Sequence, residues 1–160
     1  MNVPLRAQSQ RIQEILNQYG YELQVVELKD STRTAREAAA TIGCELGQIV
    51  KSIIFKGTQT NKPVLAIASG VNQVSVQTLQ SHFGEAVCKP DADFVAKVTG
   101  YVIGGVPPIG HLNPIDCYID EDLLQYEVIW AAAGTPYSVF ELSPSQLLKM
   151  TQGKVICIKK

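Results

Sequence analysis

The sequence has little charge, and the charge that it has is nearly balanced. Only 18% of its 160 residues are Asp, Glu, Lys or Arg, and 14 basic against 15 acidic side chains give a formal net charge of −1. So small a net charge supplies no overall field that would attract a long polyanion. We therefore expect no DNA partner, although a local basic patch remains open.

Metal-binding and nucleotide-binding motifs are also absent. The four cysteines form no CxxC pair, and neither histidine stands at zinc-finger spacing from one of them. Cysteines so far apart are expected to be reduced thiols that pack as small apolar side chains. The chain has neither GxGxxG nor GxxxxGK[ST]. The sequence therefore predicts no metal and no cofactor.

Long apolar runs are missing as well. No uncharged stretch approaches the ~20 apolar residues that a membrane-spanning helix needs. The first 20 residues contain no apolar core of a secretory signal. We expect a cytoplasmic protein that makes no contact with a membrane.

The apolar content is sufficient for one hydrophobic core. Hydrophobic residues make up 46% of the chain, and a domain of about 150 residues buries roughly 68–70% of its unfolded surface. No repeat or linker interrupts the sequence, so we predict a single domain over residues 1–160. Its charge is uneven, because 111–147 holds six acidic and no basic side chains. Any contact with phosphate must avoid that surface.

The hydrophobic pattern indicates an α+β fold with helices around a group of strands. Most predicted helices begin after a residue that can cap them, such as Thr34 before an alanine-rich run. Strands 49–55 and 63–68 are joined by a short polar loop, which predicts a buried hairpin. Helices are predicted over 5–19, 35–42, 76–83, 92–98 and 144–152, a short helix over 120–124, and further strands over 24–28, 115–119, 127–133, 137–142 and 155–158.

Lys51 is the first candidate functional residue. It lies in an otherwise apolar strand, beside Val50, Ile53, Ile54 and Phe55. Such a lysine either extends along the strand to reach water or faces an enclosed polar pocket. From the residues alone both interpretations stay open, and the lysine that reaches water is the favoured one.

The loop over 104–111 is the second candidate. Its paired glycines, Gly104 and Gly105, allow backbone amides to approach a ligand, and its paired prolines, Pro107 and Pro108, stiffen the following chain. This combination suits a cradle for an anion or an oxyanion. A tight connecting turn would explain the glycines but less easily the density of glycine and proline.

The small residues at the end of the strand 127–133 form the third candidate. Ala131, Ala132, Ala133 and Gly134 either leave space for a small guest or allow close packing of a helix. Nucleophilic catalysis has no positive signal, because no GxSxG or comparable triad motif accompanies the two histidines.

Taken together, these segments resemble the YbaK/ProX-type aminoacyl-tRNA deacylases, which are relatives of the editing domain inserted in bacterial prolyl-tRNA synthetases. The resemblance lies in the alanine-rich helix 34–43, the lysine strand 48–55, the loop 104–111 and the pair Ala133-Gly134. In order and spacing it covers roughly residues 20–158.

The resemblance implies a central mixed sheet and hydrolysis of the ester between a wrong amino acid and the terminal adenosine of tRNA. Mischarged tRNA would be the partner, with a synthetase as a second candidate partner. Lys51 falls on the family's essential lysine, and an amide of Gly105 or its neighbour would face the reacting carbonyl. The implied substrate-binding residues are Thr34, Gly104, Val106, Pro107, Pro108, His111, Ala132, Ala133 and Gly134.

Two positions predict the selectivity. Relatives that remove cysteine usually have a hydroxyl residue where this chain has Pro107, and commonly Ser where Ala132 stands. We therefore expect a small amino acid such as alanine, serine or threonine to be removed rather than cysteine. Correctly attached proline would be excluded sterically by the rigid Pro107-Pro108 segment.

Two other functions compete with the deacylase. One is a binding module that keeps the aminoacyl-tRNA pocket and docks on tRNA or a synthetase without turnover. The other is a lyase that forms a Schiff base at Lys51, for which nothing nearby in the sequence supplies an acid–base partner. Lys51 and the intact loop favour the deacylase.

Overall fold

A computed structural model describes residues 6–160, and within them lie five α-helices, eight β-strands and two short 3₁₀ helices. Leu5, which the predicted first helix included, lies outside the described residues. The helices are α1 (Ala7–Gln18), α2 (Ala35–Ile42), α3 (Val76–Phe83), α4 (Ala92–Thr99) and α5 (Pro144–Thr151), and the 3₁₀ helices are Leu46–Gln48 and Glu121–Gln125. The strands are β1 (Val25–Glu27), β2 (Ile49–Gly57), β3 (Pro63–Ser69), β4 (Val87–Cys88), β5 (Asp116–Asp120), β6 (Ile129–Ala132), β7 (Ser138–Leu142) and β8 (Lys154–Ile156).

Local capping explains where most helices begin and end. The side chains of Thr34, Ser75, Asp91 and Ser143 each accept a hydrogen bond from the backbone N–H three residues further on. α5 ends one residue before its predicted end at 152, because Gln152 adopts the left-handed conformation (φ 56°) and its N–H donates to the Leu148 carbonyl.

The helices are short. Within residues 6–160, none combines the length and the apolar character that crossing a membrane requires.

The eight strands form one mixed sheet, which confirms the α+β fold class. Seven strands run in the order β1-β7-β6-β2-β3-β5-β8, and β4 pairs separately with β2. The pairs β2–β6, β3–β5 and β5–β8 are parallel, and the remaining pairs are antiparallel. The predicted hairpin is the pair β2–β3, in which Lys51 lies opposite Ala68.

One side of β2 is only partly covered by neighbouring strands. β6 pairs with it at Ile49 and Val50, and β4 pairs with it at Lys56 and Gly57. Between these two contacts, the strands of the described residues flank 51–55 on the β3 side alone. This stretch of β2 therefore has an open edge, or gap, beside which a cavity can form.

Apolar side chains pack on both faces of the sheet. A larger cluster contains Ile12 and Leu16 of α1, Val95 of α4 and Leu147 of α5. A smaller cluster contains Leu79 of α3. Full burial of each aliphatic side chain contributes roughly 1.5–3 kcal/mol. The two clusters hold β2 and β3 firmly at the centre of the molecule.

Candidate active site

A cavity of about 460 Å³ opens at the gap beside β2. This volume lies within the range of about 300–1,000 Å³ that is usual for ligand pockets. Its walls come from β2, β6, the start of α2 and the loop before β5. Five of the predicted site residues line it together: Thr34, Lys51, Gly104, Val106 and Ala132.

Lys51 lies in this cavity with its ammonium partly buried. Its Nζ donates a hydrogen bond to the backbone carbonyl of Asn72. Among residues 6–160 the other two N–H groups of the ammonium have no protein acceptor, so they remain available to a ligand. The pocket interpretation therefore fits the position of Lys51 better than a lysine that extends into bulk water.

The surroundings of Lys51 lower the pKa of its ammonium. Burial is the main cause, and the positive charge of Lys89 adds to it. The carboxylate of Asp120 acts in the opposite direction and favours the charged form. The cation is thus held in a poorly hydrated place, where its field on a bound group is stronger than in water.

β2 also presents backbone polar groups to the cavity. In an antiparallel pair, opposite residues alternately exchange two hydrogen bonds or none. The N–H of Gly70 donates to the carbonyl of Ile49 over 2.8 Å, and Gly57 follows the same odd-numbered pattern. Odd-numbered residues of β2 therefore bond to β3. The backbone N–H and C=O groups of Ser52 and Ile54 consequently point into the gap.

The charged side chains that line the cavity, among residues 6–160, are all basic. Arg33 and Lys89 line it with Lys51, and no Asp or Glu is among the described residues of its wall. The rest of the wall is mainly aliphatic, with Trp130 as its aromatic member. Such a site attracts an anionic group, for example a phosphate, and supplies no carboxylate as a general base.

The structure corrects the expectation for Gly105. Its N–H donates to the Val102 carbonyl over 3.0 Å, and its carbonyl accepts from the Gly134 N–H over 3.0 Å. A β-carbon at Gly105 would lie 2.7 Å from the backbone of Thr135. This glycine therefore allows the loop to pack against the β6–β7 connection, and its amide is not available to a substrate carbonyl.

The neighbours of Gly105 do reach the cavity. Gly104 and Val106 both line it. Within the described part of the chain, neither backbone N–H has a hydrogen-bond acceptor. The loop can thus still present amide donors, but from these two residues.

The placement of Pro107, Pro108 and His111 is also corrected. None of them lines the cavity of Lys51, and Pro108 and His111 border a second, more open cavity. His111 Nε2 lies 2.7 Å from the Pro107 carbonyl, which can only accept, so the ring donates this bond. Burial lowers the pKa of His111 and favours its neutral form. These residues therefore stabilise the conformation of the loop and do not contact a substrate in the first cavity.

The small residues at the end of β6 and directly after it fall into two groups. Ala131 and Ala132 line the cavity, whereas Ala133 and Gly134 do not. Ala133 is fully buried, and Gly134 (φ 98°) donates to the Gly105 carbonyl. The predicted lining by Ala133 and Gly134 is therefore corrected to close packing between two backbone segments.

Sequence reasoning missed several residues of the wall. Arg33 directly precedes Thr34, which was already a predicted site residue, so its position in the sequence could have indicated that it lies at the site. Lys89 and Trp130 carry no local signal, because only the folded sheet brings them beside Lys51. Within the described part of the chain, no three His, Cys, Asp or Glu side chains are grouped as a metal site would require.

Comparison with known proteins assigns the chain to a family. Residues 29–150 match the model of the aminoacyl-tRNA editing domain. YwhH of Bacillus subtilis (strain 168) is 31% identical over 138 residues, which cover 86% of this chain and 87% of YwhH. EbsC of Enterococcus faecalis (strain ATCC 700802 / V583), named as a candidate Cys-tRNA(Pro)/Cys-tRNA(Cys) deacylase, is 30% identical over 122 residues, covering 76% and 74%.

A solved structure shows the same fold over nearly the whole chain. It is the crystal structure of a candidate trans-editing enzyme for prolyl-tRNA synthetase, with 41% identity and a TM-score of 0.92. The match covers 98% of this chain and 99% of the other. The chain therefore belongs to the aminoacyl-tRNA editing domain family of the YbaK/ProX type, a family of aminoacyl-tRNA deacylases.

Proposed function

We propose that this protein hydrolyses, in trans, the ester that joins alanine, serine or threonine to the terminal adenosine of a mischarged tRNA. The observation that carries the proposal is the Lys51 ammonium in a largely apolar cavity whose described wall has no carboxylate. This arrangement suits the terminal phosphate and the ester of an aminoacyl-tRNA. Each of these is anionic or becomes so during hydrolysis.

The chemistry asks little of the protein beyond position and charge. An aminoacyl ester is already activated, so the barrier falls when the ester is oriented and its developing oxyanion is stabilised. Lys51 would hold the carbonyl oxygen or the terminal phosphate with its two free N–H groups. The amides of Gly104 and Val106 would donate to the oxyanion in place of the amide of Gly105.

The nucleophile in this scheme is an ordered water. Its oxygen bonds to the carbonyl carbon, the bond from that carbon to the ribose oxygen breaks, and a proton passes to the leaving oxygen. Free amino acid and free tRNA are the products. For serine or threonine, the variant is attack by the hydroxyl of the substrate itself. Its oxygen bonds to the carbonyl carbon, the bond from that carbon to the ribose oxygen breaks, and the hydroxyl proton passes to the ribose oxygen. Water then opens the resulting β-lactone to the free amino acid.

The selectivity for a small amino acid rests on Ala131 and Ala132, which leave that wall of the cavity without a hydroxyl or thiol. Exclusion of proline can no longer be attributed to Pro107 and Pro108, since neither lines the cavity. It would have to come from the aliphatic wall around β2. An apolar wall separates amino acids that differ by one methylene by only about 1–3 kcal/mol.

The tRNA and the partner follow from the relatives. A similar structure is named as a candidate trans-editing enzyme for prolyl-tRNA synthetase. We propose tRNA mischarged by that synthetase as the substrate, and the synthetase itself as a candidate partner. EbsC is named for cysteinyl-tRNA, so cysteine is the competing side chain.

A deacylation panel tests the proposal. Purified protein is incubated with alanyl-, seryl-, threonyl-, cysteinyl- and prolyl-tRNA, and loss of each ester is followed beside a sample without protein. We expect rapid loss of one or more of the first three and sparing of the prolyl ester. Preferential loss of the cysteinyl ester would overturn the amino-acid assignment. Tight binding of the esters without hydrolysis would instead support the binding module.

A further inference from the structure

The carbonyl that holds Lys51 belongs to a short turn after β3. The turn is closed by a hydrogen bond of 3.0 Å from the Asn72 N–H to the Ser69 carbonyl. Because Lys51 lies opposite Ala68 in the hairpin, its ammonium reaches the turn that immediately follows. The position of the ammonium therefore depends on the position of residue 72.

A buried carboxylate fixes this turn. The side-chain amide of Asn72 donates to Oδ2 of Asp120 over 2.8 Å and to Oδ2 of Asp122 over 2.8 Å. Asp120 is fully buried and also accepts from the backbone N–H groups of Ser69 and Asp122, each over 2.9 Å. Two of these bonds thus tie the two ends of the turn to the end of β5.

The burial of Asp120 indicates a specific role. A carboxylate without hydrogen bonds is very costly to bury, so its N–H donors must stay in place. The three donors match an acceptor-only group. Packing alone would be served equally well by an apolar residue at this position, whereas a carboxylate both orients the turn and places a negative charge near Lys51.

We propose that Asn72 and Asp120 are positioning residues that hold the Lys51 ammonium at the mouth of the β2 gap. Asn72 supplies the backbone acceptor and Asp120 fixes that acceptor through the Asn72 side chain. This inference rests on the proposed function for one point, the role of Lys51 in ester hydrolysis. The contacts among Lys51, Asn72 and Asp120 do not depend on that function.

The other charges around Lys51 explain why such an anchor is needed. Lys89 faces the same cavity and repels the ammonium, and Arg33 adds a third cation to the wall. A lysine side chain has four rotatable bonds and many rotamers. Without the turn, we expect the ammonium to move away from these cations and out of the cavity.

Asn72→Ala is the direct test, with Lys159→Ala as the matched control. The Lys159 ammonium is exposed and contacts the cluster at its outer side, through the carboxylate of Asp122. Misplacement of a reacting group by about 1 Å can reduce a rate by about 100-fold. We expect Asn72→Ala to lower kcat for deacylation at least about tenfold with little change in KM, while Lys159→Ala stays within about twofold of wild type.

The second readout observes Lys51 directly and does not require turnover. Its ¹³Cε resonance is assigned by its absence in Lys51→Ala, and its chemical shift is followed in each variant by NMR. We expect Asn72→Ala to move this resonance toward that of an exposed lysine such as Lys62, and Lys159→Ala to leave it in place. If Asn72→Ala does not fold, Asn72→Ser is used, because its hydroxyl is too short to span to Asp120.

The outcomes separate the two proposals. An unchanged Lys51 resonance and unchanged kcat in a folded Asn72 variant overturn the positioning role. A shifted resonance with reduced kcat supports it. A wild-type protein that hydrolyses no ester overturns the proposed function, and in that case the shift of the Lys51 resonance still decides whether Asn72 positions the ammonium.

Discussion

Among the single residues, Lys51 is the one on which the proposed hydrolysis most depends. The sequence indicates part of its environment, because an ammonium among Val50, Ile53 and Ile54 is unusual in an apolar strand. Its partner Asn72 was not visible, since the two residues meet only when β2 and β3 pair. The sequence therefore identified the cation but not what holds it.

Lys51→Ala should remove deacylation while the fold remains intact. The side chain is partly exposed and adds little to either apolar cluster. Loss of one preorganised electrostatic group typically lowers a rate by about 100- to 1,000-fold. The measurement is the deacylation rate together with the thermal unfolding midpoint. Lys56→Ala on the same strand is the control, and a folded, fully active Lys51→Ala would remove Lys51 from the mechanism.

Gly105 shows where residue-scale prediction failed. The pair Gly104-Gly105 correctly indicated a close approach of backbone, but not which backbone approaches. At Gly105 the neighbour is Thr135 of the same chain rather than a ligand. Motif reasoning cannot distinguish these two partners, because both require a residue without a β-carbon.

Gly105→Ala should therefore destabilise the protein rather than inactivate a stable one. Its β-carbon would meet the Thr135 backbone at 2.7 Å, and forced overpacking of this kind costs about 1–3 kcal/mol. Denaturant unfolding measures the loss, and deacylation at low temperature should be retained in the folded fraction. A variant with wild-type stability and no activity would instead indicate that the Gly105 amide contacts the substrate.

At the scale of elements, the sequence predicted most of the fold. Caps such as Thr34 and Ser143 act on residues within one turn of themselves, so their signal is local, and the predicted starts of α2, α3, α4 and α5 were confirmed. β4 was missed because two residues, Val87 and Cys88, are too few to show a period. The gap beside β2 was missed for a different reason. It depends on β6 leaving β2 after Val50, which is a property of pairing between distant segments.

Amide hydrogen exchange tests whether the edge of β2 is open at residues 51–55. The N–H groups of Lys51 and Ile53 bond to β3, whereas those of Ser52 and Ile54 point into the cavity. We expect slow exchange at the two odd-numbered residues and clearly faster exchange at the two even-numbered ones, as measured by NMR in the protein without substrate. Equal protection at all four amides would contradict the open edge.

At the scale of the whole molecule, the balance of charge decides how tRNA is bound. A net charge of −1 gives no general attraction, and the acidic segment 111–147 repels phosphate. Binding must then depend on the local cations Arg33 and Lys89 at the cavity. Composition left a local basic patch open, and only the fold shows which cations form it.

The salt dependence of tRNA binding tests whether Arg33 and Lys89 contact phosphate groups. We expect Arg33→Ala and Lys89→Ala each to raise KM for aminoacyl-tRNA and to reduce the slope of log affinity against log salt by about 0.7–0.9, the value for one lost phosphate contact. Lys154→Ala, on β8 three strands from β2, is the control and should change neither quantity. An unchanged slope in both cavity variants would place the tRNA elsewhere on the surface.

The decisive measurement for the deacylase assignment is single-turnover hydrolysis of alanyl-, seryl- and threonyl-tRNA with the wild-type protein in excess. Correctly charged prolyl-tRNA and a sample without protein are measured beside them. We expect at least one of the three mischarged esters to be lost far faster than it decays spontaneously, and at least about tenfold faster than the prolyl ester. Loss of all three esters at the spontaneous rate, with protein that is folded and binds tRNA, would overturn the assignment.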